Sequence, residues 1–254
     1  MALRRIVIAA AVMAATAFSA DGAAAEVAPQ PAVQTAAVTT AAPATTADDE
    51  PVCARLKGAE ACVGPDGSDR PGITIEDTSD DHLHPAVEYY LNGYLGTKYV
   101  IHNLGRANEV RGSREIGKVV TFRATLYRGG KRVKYGRWKT VQNVAKYPVK
   151  RDTSTTPATA RARSKVCTNT KGAASVCFGE RKTFVYACDT GADKFQARAE
   201  YFVGGDPTTR YEIHQLAGVG TCGKAEHGDL SISMYRASLY DQNHRQATRL
   251  YKYH

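Results

Sequence analysis

The chain has 254 residues, of which 34 are lysine or arginine and 25 are aspartate or glutamate, giving a formal net charge of +9. Hydrophobic residues make up 43 % of the sequence and charged residues 23 %, as is usual for folded proteins. This composition excludes a collagen, a coiled coil, a multi-span membrane protein and a wholly disordered chain. The length suits one large domain or two of ordinary size.

The N-terminal segment has the pattern of a secretory signal peptide. Arg4 and Arg5 supply the positive end, Ile6–Phe18 is apolar and uncharged, and Ala23–Ala25 supplies the small residues of a cleavage site. The apolar run is shorter than the roughly 20 residues that a membrane-spanning helix needs. We therefore expect residues 1–25 to be removed and the protein to be secreted to the extracellular side, with no transmembrane segment after cleavage.

The rest of the chain contains the same unit twice. Asp77–Leu104 aligns with Asp189–Leu216 at a constant shift of 112 positions, and 11 of the 28 aligned residues are identical. Arg123–Tyr127 matches Arg236–Tyr240 in the same order, at a shift of 113. These matches indicate an internal duplication that produced two homologous domains of a common size.

The alignment sets the expected domain boundaries. Residues 26–52, rich in Ala, Thr, Val and Pro, are predicted to be a flexible spacer. The first domain is then 53–150, the linker is 151–166, and the second domain is 167–254. The basic residues are concentrated in the first domain.

Each unit is predicted to be all-β. Val87–Leu91 and Lys98–His102 are short runs of β-branched and aromatic residues around Asn92-Gly93, which is a hairpin signal. Lys118–Tyr127 and Leu230–Leu239 have the same strand-like composition, and no sustained helical period occurs. Short strands separated by turn residues favour two tandem, homologous, disulfide-bonded β-sandwich domains of the immunoglobulin-like kind.

The six cysteines support this organisation. All of them follow the signal peptide, and an even number in an oxidising compartment implies disulfides. The alignment places the pairs Cys53–Cys62 and Cys167–Cys177 at the same point of both units, so each pair is expected to close its own loop. The remaining two, Cys188 and Cys222, have no counterpart in the first unit and are expected to pair with each other. A zinc or redox site is the alternative, but the Cys-x-x-Cys spacing does not occur.

The most distinctive functional feature is a basic block between residues 116 and 151, which contains no acidic residue. Its bases are Lys118, Arg123, Arg128, Lys131, Arg132, Lys134, Arg137, Lys139, Lys146, Lys150 and Arg151. Part of the block reads as a hairpin with a glycine turn and a cationic tip. We expect the hairpin residues Arg128, Lys131, Arg132, Lys134, Arg137 and Lys139 to bind an anionic partner, with Tyr135 and Trp138 stacking on it. The alternative is a solvated face that only keeps the protein soluble.

The remaining candidates have less support. His102 and His214 recur in both units, as do Glu88 and Glu200, and shared residues of this kind favour a structural role over catalysis. A metal site at Asp80–His84 would require His82 and His84 to point to one face of a strand. The sequence contains no Gly-x-Ser-x-Gly, His-Glu-x-x-His or phosphate-binding loop motif. We therefore expect no catalytic residues, no metal and no cofactor.

Together these patterns predict a secreted, non-enzymatic binding protein. Its expected partner is an anionic polymer or surface outside the cell, such as a glycan, a wall polymer or an anionic lipid surface. An extracellular protein partner is the alternative, in which case the chain is a protein-recognition module such as an inhibitor of a secreted hydrolase. A small secreted hydrolase that uses His102, or the pair His82 and His84, is a third possibility.

Overall fold

The structure is a computed structural model that describes residues 50–65, 71–113, 119–142, 155–179, 183–241, 244–248 and 250–253. The predicted signal peptide, the spacer up to residue 49, the start of the linker and the bases Lys118, Lys146, Lys150 and Arg151 lie outside the described residues. All described residues belong to one structural unit. Within these ranges, no helix has the length and apolar character that crossing a membrane requires.

The first half of the chain forms strands only, over the part that the structure describes. They are β1 (Val52–Leu56), β2 (Ala59–Pro65), β3 (Pro71–Asp77), β4 (His84–Leu91), β5 (Tyr94–Asn103), β6 (Val110–Ser113), β7 (Val119–Arg128), β8 (Lys131–Tyr135) and β9 (Lys139–Gln142). The predicted hairpin turn at Asn92-Gly93 is confirmed, because both residues have the positive φ angles that a tight turn between β4 and β5 requires. Gly129, also with positive φ, begins the turn between β7 and β8.

The second half repeats this pattern after one short helix. Its elements are α1 (Pro157–Ala162), β10 (Ser164–Thr170), β11 (Ala174–Gly179), β12 (Phe184–Asp189), β13 (Gln196–Val203), β14 (Thr209–Gln215), β15 (Cys222–Glu226), β16 (Ile232–Asp241), β17 (His244–Thr248) and β18 (Lys252–Tyr253). The helix lies in the segment predicted as a linker, where Thr156 caps its N-terminus. The protein is therefore all-β, as its strand-like runs and lack of helical periodicity indicate.

The strands form two small sheets and one large sheet. The small sheets have the orders β1-β2-β3-β6 and β10-β11-β12-β15. The ten-stranded sheet has the order β17-β16-β13-β14-β5-β4-β7-β8, with β9 pairing to β7 and β18 pairing to β16. Each half therefore has the same strand order, and the halves meet edge to edge where β5 pairs with β14.

The junction between β5 and β14 is symmetric in register. Val100 lies opposite Glu212. Three positions away in each direction, Thr97 pairs with Gln215 and Asn103 pairs with Thr209. Because 100 and 212 differ by the same 112 positions as the aligned sequences, both halves place the same position at the centre. The junction thus has the register of a two-fold interface built within one chain.

One face of the large sheet carries the apolar core. A single cluster of buried side chains joins residues of the small sheets, such as Ile73 and Phe178, to residues of the large sheet, such as Phe122, Ile101 and Tyr201. The two small sheets therefore pack against this face and cover it. Alternation along each strand places the intervening residues on the opposite face of the large sheet.

That opposite face is polar and largely buried. One laterally paired row crosses six strands and consists of Arg123, Glu88, Val100, Glu212, Glu200 and Arg236. The sheet curls around this face so that its two ends approach each other. A Cβ atom on Gly130, in the β7–β8 turn, would lie 3.5 Å from Nη2 of Arg245 in β17. Charged side chains can be buried here only because they contact one another.

The three predicted disulfides are present. Cys53–Cys62 joins β1 to β2, and Cys167–Cys177 joins β10 to β11. The third bridge, Cys188–Cys222, joins β12 to β15. Each bridge links two residues that face each other directly across neighbouring strands, and the described residues include no free cysteine.

Candidate functional site

The predicted basic hairpin borders a groove of about 810 Å³ at the edge of the first half. The groove lies between β1 and the chain that leads from β8 into β9. Its charged and aromatic lining residues are Arg55, Arg123, Tyr135, Arg137, Trp138 and Lys139. Four of these six belong to the basic hairpin that the sequence predicts, which spans Arg128–Lys139. They are Tyr135, Arg137, Trp138 and Lys139, so the structure brings these predicted residues together at the groove. None of the described lining residues is acidic.

The two aromatic rings of the groove, Tyr135 and Trp138, both pack against the guanidinium of Arg123. The Arg123 guanidinium lies 4.6 Å from the centre of the Tyr135 ring and 4.3 Å from that of Trp138. Trp138 also packs on Tyr90, with 5.2 Å between ring centres. Tyr135 remains 61 % exposed and Trp138 38 % exposed. The two rings are thus fixed in place while part of their surface is open to a ligand.

The remaining hairpin cations surround this groove. Arg128, Lys131, Lys134, Arg137 and Lys139 are all exposed. Lys139 also donates a hydrogen bond from Nζ to the backbone oxygen of Cys53, at 2.5 Å, and so ties β9 to β1. Arg55, from β1, is paired with Glu60 at 2.7 Å.

Arg132 is the hairpin residue with a different environment. The pairing of β7 with β8 shifts register at Val133, so that Arg132 faces Tyr127 and Lys134 faces Leu126. This bulge turns Arg132 to the polar face of the large sheet. There Arg132 donates to both oxygens of Glu88 at 2.9 Å.

Glu88 is the centre of a buried ion cluster below the groove. It has no exposed surface. It accepts hydrogen bonds from Arg123 at 2.7 Å, Lys98 at 3.1 Å and the Tyr127 hydroxyl at 2.8 Å, in addition to Arg132. Burial alone would raise the pKa of Glu88, but the charges of Lys98, Arg132 and Arg123 hold that pKa well below its usual range. Three cations share one carboxylate, and one of them, Arg123, also lines the groove.

The second half contains the same cluster without the same surface. Glu200 is fully buried and accepts from Arg236, Ser238, Tyr240 and Arg245. Arg236 lies 4.1 Å from the centre of the Tyr251 ring, as Arg123 does over Trp138. The inner ions and the aromatic ring therefore occur in both halves.

The outer cations Arg128, Lys131, Lys134 and Arg137 have no cationic counterpart in the second half, whereas Lys139 in β9 corresponds to Lys252 in β18. β7 ends at Arg128 and β8 begins at Lys131, whereas β16 ends at Asp241 and β17 begins at His244. Arg137 precedes Trp138, whereas Leu250 precedes Tyr251. We interpret a cation that occurs at the equivalent position of both halves as structural. A cation that occurs in one half only is a candidate for ligand binding. Sequence reasoning grouped Arg132 with the outer cations because the Val133 bulge is invisible in the sequence.

The histidines proposed as a metal pair do not converge. His82 precedes β4, has a positive φ of 59° and is exposed. His84 begins β4 and packs its ring on His102 and Tyr127, at 5.3 and 5.7 Å between ring centres. Within the described ranges, one group of three potential ligands lies close together, and two of its members are the disulfide-bonded Cys53 and Cys62.

The repeated histidines meet at the junction between the halves. His102 Nε2 lies 3.0 Å from one oxygen of Glu212, and His214 Nε2 lies 2.7 Å from the other. Arg210 lies 3.1 Å from the same carboxylate. Burial alone would raise the pKa of Glu212, but His102, Arg210 and His214 reverse this effect and hold the pKa well below its usual range. Sequence reasoning missed Glu212, although the alignment of the two units shows a carboxylate there in place of Val100.

Comparisons with known proteins give no assignment for this fold or site. No protein-family model, no curated protein sequence and no solved structure matches the chain significantly. The functional argument therefore depends on the residues of the groove and of the polar face.

Proposed function

We propose that this is a non-enzymatic binding protein whose basic hairpin and adjoining groove hold an anionic extracellular polymer. The single observation that carries the proposal is the groove of about 810 Å³, whose described lining joins four cations to two partly exposed aromatic rings and includes no acid. Cations on such a surface attract a polyanion by releasing its counterions. Tyr135 and Trp138 offer flat apolar surface to the rings of the polymer units.

The charge arrangement supports a division of labour among the hairpin cations. Arg123 and Arg132 both donate hydrogen bonds to Glu88, so their first role is structural and they keep the groove in shape. Lys131, Lys134 and Arg137 are exposed and have no cationic counterpart at the corresponding positions of the second half. These three residues are proposed as the contacts to the polymer, together with Arg128.

We also propose that the two halves descend from one duplicated unit and that the protein is exported. The matching strand orders and the matching Glu88 and Glu200 clusters support the duplication. The three disulfides support an oxidising, extracellular location. The immunoglobulin-like sandwich expected for each half, with boundaries at 53–150 and 167–254, stays a prediction.

The test is a binding panel of anionic polymers: a sulfated glycan, a wall polymer, anionic lipid vesicles and DNA. The variant to compare is Lys131→Gln, Lys134→Gln and Arg137→Gln together, which leaves Arg132 and the Glu88 cluster intact. A charge-matched control carries Arg161→Gln, Lys194→Gln and Lys252→Gln, three exposed cations away from the groove.

We expect the native protein to prefer one polymer. The triple variant at Lys131, Lys134 and Arg137 should lose at least about tenfold in affinity for that polymer, and the control should bind it as tightly as the native protein does. Loss of about 1.4 kcal/mol of binding free energy corresponds to a tenfold weaker affinity. Equal losses in both variants would show that net charge alone is responsible. Failure of the native protein to bind any polymer at physiological salt would overturn the proposal and favour the protein-recognition alternative.

A further inference from the structure

The three disulfides differ in how far they are exposed. Cys53 and Cys62 are both partly exposed, whereas Cys188 and Cys222 have no exposed surface. A thiol in solution can therefore approach the first bridge from either end, and it can reach the buried bridge only after local unfolding. Exposed disulfides are the ones that external thiols reduce most readily.

The two bridges of the second half lie beneath the helix α1. Cys177, Cys188 and Cys222 form one buried cluster with Ala160 of α1, and Cys167 packs against this cluster. Over the described residues of the first half, no helix covers the corresponding face of the sheet β1-β2-β3-β6. The Cys53–Cys62 bridge is thus the one without such a cover.

Polar side chains lie next to Cys53–Cys62 on the same face of the β1–β2 hairpin. Arg55 and Glu60 face each other two positions further along the strands. They form an ion pair at 2.7 Å, in which the Arg55 side chain is 78 % exposed. The bridge therefore lies at a hydrated surface and not in a hydrophobic environment.

The same bridge belongs to the wall of the groove. Cys53, Ala54 and Arg55 line the groove from β1, and the backbone oxygen of Cys53 accepts the hydrogen bond from Lys139. β1 is an edge strand of its sheet, in which it pairs with β2. The disulfide is therefore a covalent link between this wall of the groove and the rest of the small sheet.

We propose that Cys53–Cys62 is a redox switch of the groove. A dithiol reductant opens this bridge in the folded protein while the other two bridges stay closed, and the opened protein binds the anionic polymer more weakly. The effect on polymer binding rests on the proposed function, whereas the selective opening of the bridge does not.

The chemical step is thiol–disulfide exchange. One thiolate of the dithiol attacks a sulfur of the bridge and forms a mixed disulfide, and the other cysteine leaves as a thiolate that takes up a proton. The second thiol of the reductant loses its proton, attacks the mixed disulfide and releases the remaining cysteine, which is then protonated. Two electrons thus pass from the dithiol, which becomes a disulfide, to Cys53 and Cys62, which become thiols.

Opening the bridge should leave the fold intact. Ala54 is 4 % exposed, and Val52 and Leu56 pack against the main core. The backbone pairing of β1 with β2 also remains. Without its covalent link, β1 stays in the sheet but opens locally more often, and this loosens the groove wall that contacts Lys139.

The first experiment follows each bridge while the folded protein is treated with dithiothreitol. Samples are alkylated with iodoacetamide at successive times, then unfolded, fully reduced and alkylated with N-ethylmaleimide, so that mass spectrometry gives the reduced fraction of each cysteine. We expect Cys53 and Cys62 to be reduced at least about tenfold faster than the other four cysteines, because the covered bridges react only after local unfolding. Equal rates, or faster reduction of either bridge of the second half, would overturn the proposal.

The second experiment measures the effect on the groove. Cys53→Ala with Cys62→Ala removes the bridge, and Cys167→Ala with Cys177→Ala, the control, removes its counterpart in the second half. Hydrogen exchange of the β1 amides should be at least about tenfold faster than native in the first variant and native in the control. Affinity for the polymer of the panel that the native protein binds best should fall several-fold in the first variant and stay unchanged in the control.

These measurements distinguish failure of the switch from failure of the proposed function. If the native protein binds none of the polymers, the proposed function fails, and the alkylation rates and the β1 exchange rates still decide whether the bridge is a switch. Unchanged exchange in β1, or unchanged affinity in a protein that does bind the polymer, would overturn the switch. If the first variant does not fold, native protein reduced only at Cys53–Cys62 takes its place in both measurements.

Discussion

Glu212 lies directly opposite Val100 at the centre of the junction between β5 and β14. The same position of the fold is thus a carboxylate in one half and an apolar side chain in the other. Because the position lies on the pseudo-two-fold centre, one carboxylate contacts the equivalent histidines of both halves, His102 and His214. Glu212 therefore links the two halves through side chains as well as through the strand pairing.

This relationship predicts the result of exchanging the two residues. Val100→Glu alone places a second buried carboxylate opposite Glu212 and should lower the free energy of unfolding by about 3 kcal/mol. The exchange Val100→Glu with Glu212→Val moves the carboxylate across the centre, where Lys98 replaces Arg210 as its cationic neighbour. Urea denaturation of both single variants and the double variant should give a favourable coupling energy of about 2 kcal/mol. Simple additivity of the two losses would contradict the symmetric junction.

The Glu88 cluster predicts a strong effect of a nearly isosteric change. Glu88→Gln removes the negative charge that Lys98, Arg123 and Arg132 share and should cost about 3–5 kcal/mol of unfolding free energy. Glu60→Gln, which breaks the exposed pair with Arg55, is the control and should cost less than about 1 kcal/mol. Chemical denaturation measures both. Equal, small effects would mean that the buried cluster is not held together by its carboxylate.

The histidines predict loss of stability in mild acid. Burial lowers the pKa of His84 to about 3 and lowers the pKa values of His102 and His214 as well. Since the unfolded chain binds these protons near pH 6.5 and the native protein does not, stability is complete above that pH and falls as the pH decreases. The slope below pH 6.5 is up to about 1.4 kcal/mol per pH unit for each histidine.

His84→Phe tests one contribution to this slope. Phenylalanine keeps the packing on Tyr127 but cannot be protonated. The dependence of unfolding free energy on pH, measured from about pH 7 to pH 5, should become shallower by about one proton. This window lies above the range in which the low pKa values of Glu88 and Glu212 matter. A slope identical to that of the native protein would show that His84 is not protonated on unfolding.

The disulfides should differ in their effect on stability. Cys188–Cys222 closes a loop of 34 residues, whereas Cys53–Cys62 closes one of 9. In the chain-entropy account, removing the first by Cys→Ala substitution should cost about 4 kcal/mol and removing the second about 2.5 kcal/mol. Thermal unfolding of the two paired variants gives the order, and a reversed order would mean that local packing outweighs loop entropy.

Local sequence signals predicted the strands and turns because these depend on nearby residues, and the internal repeat predicted the disulfides. Asn92-Gly93 defines its hairpin, and the repeat-based argument assigned all three bridges, including Cys188–Cys222. The edge-to-edge junction could not be predicted, because strand pairing between β5 and β14 joins residues more than 100 positions apart. An alternating polar pattern also does not show whether the polar face of a sheet is exposed to water or buried against another part of the same sheet.

The candidate site was predictable in composition but not in the roles of its residues. The acid-free run identified Arg137, Trp138 and Lys139, which line the groove. Arg55 was missed because it reaches the groove from β1, far away in the sequence. Glu88 was treated as a structural residue on the basis of its repetition, and its buried ion pairs fit that interpretation.

The most direct test of the account is the salt dependence of polymer affinity. The dissociation constant for the preferred polymer is measured over a series of salt concentrations, for the native protein and for the variant with Lys131→Gln, Lys134→Gln and Arg137→Gln. If these three cations contact the polymer, the slope of log affinity against log salt should fall by about one per cation removed. An unchanged slope would contradict the central claim, because the hairpin cations would then release no counterions from the polymer.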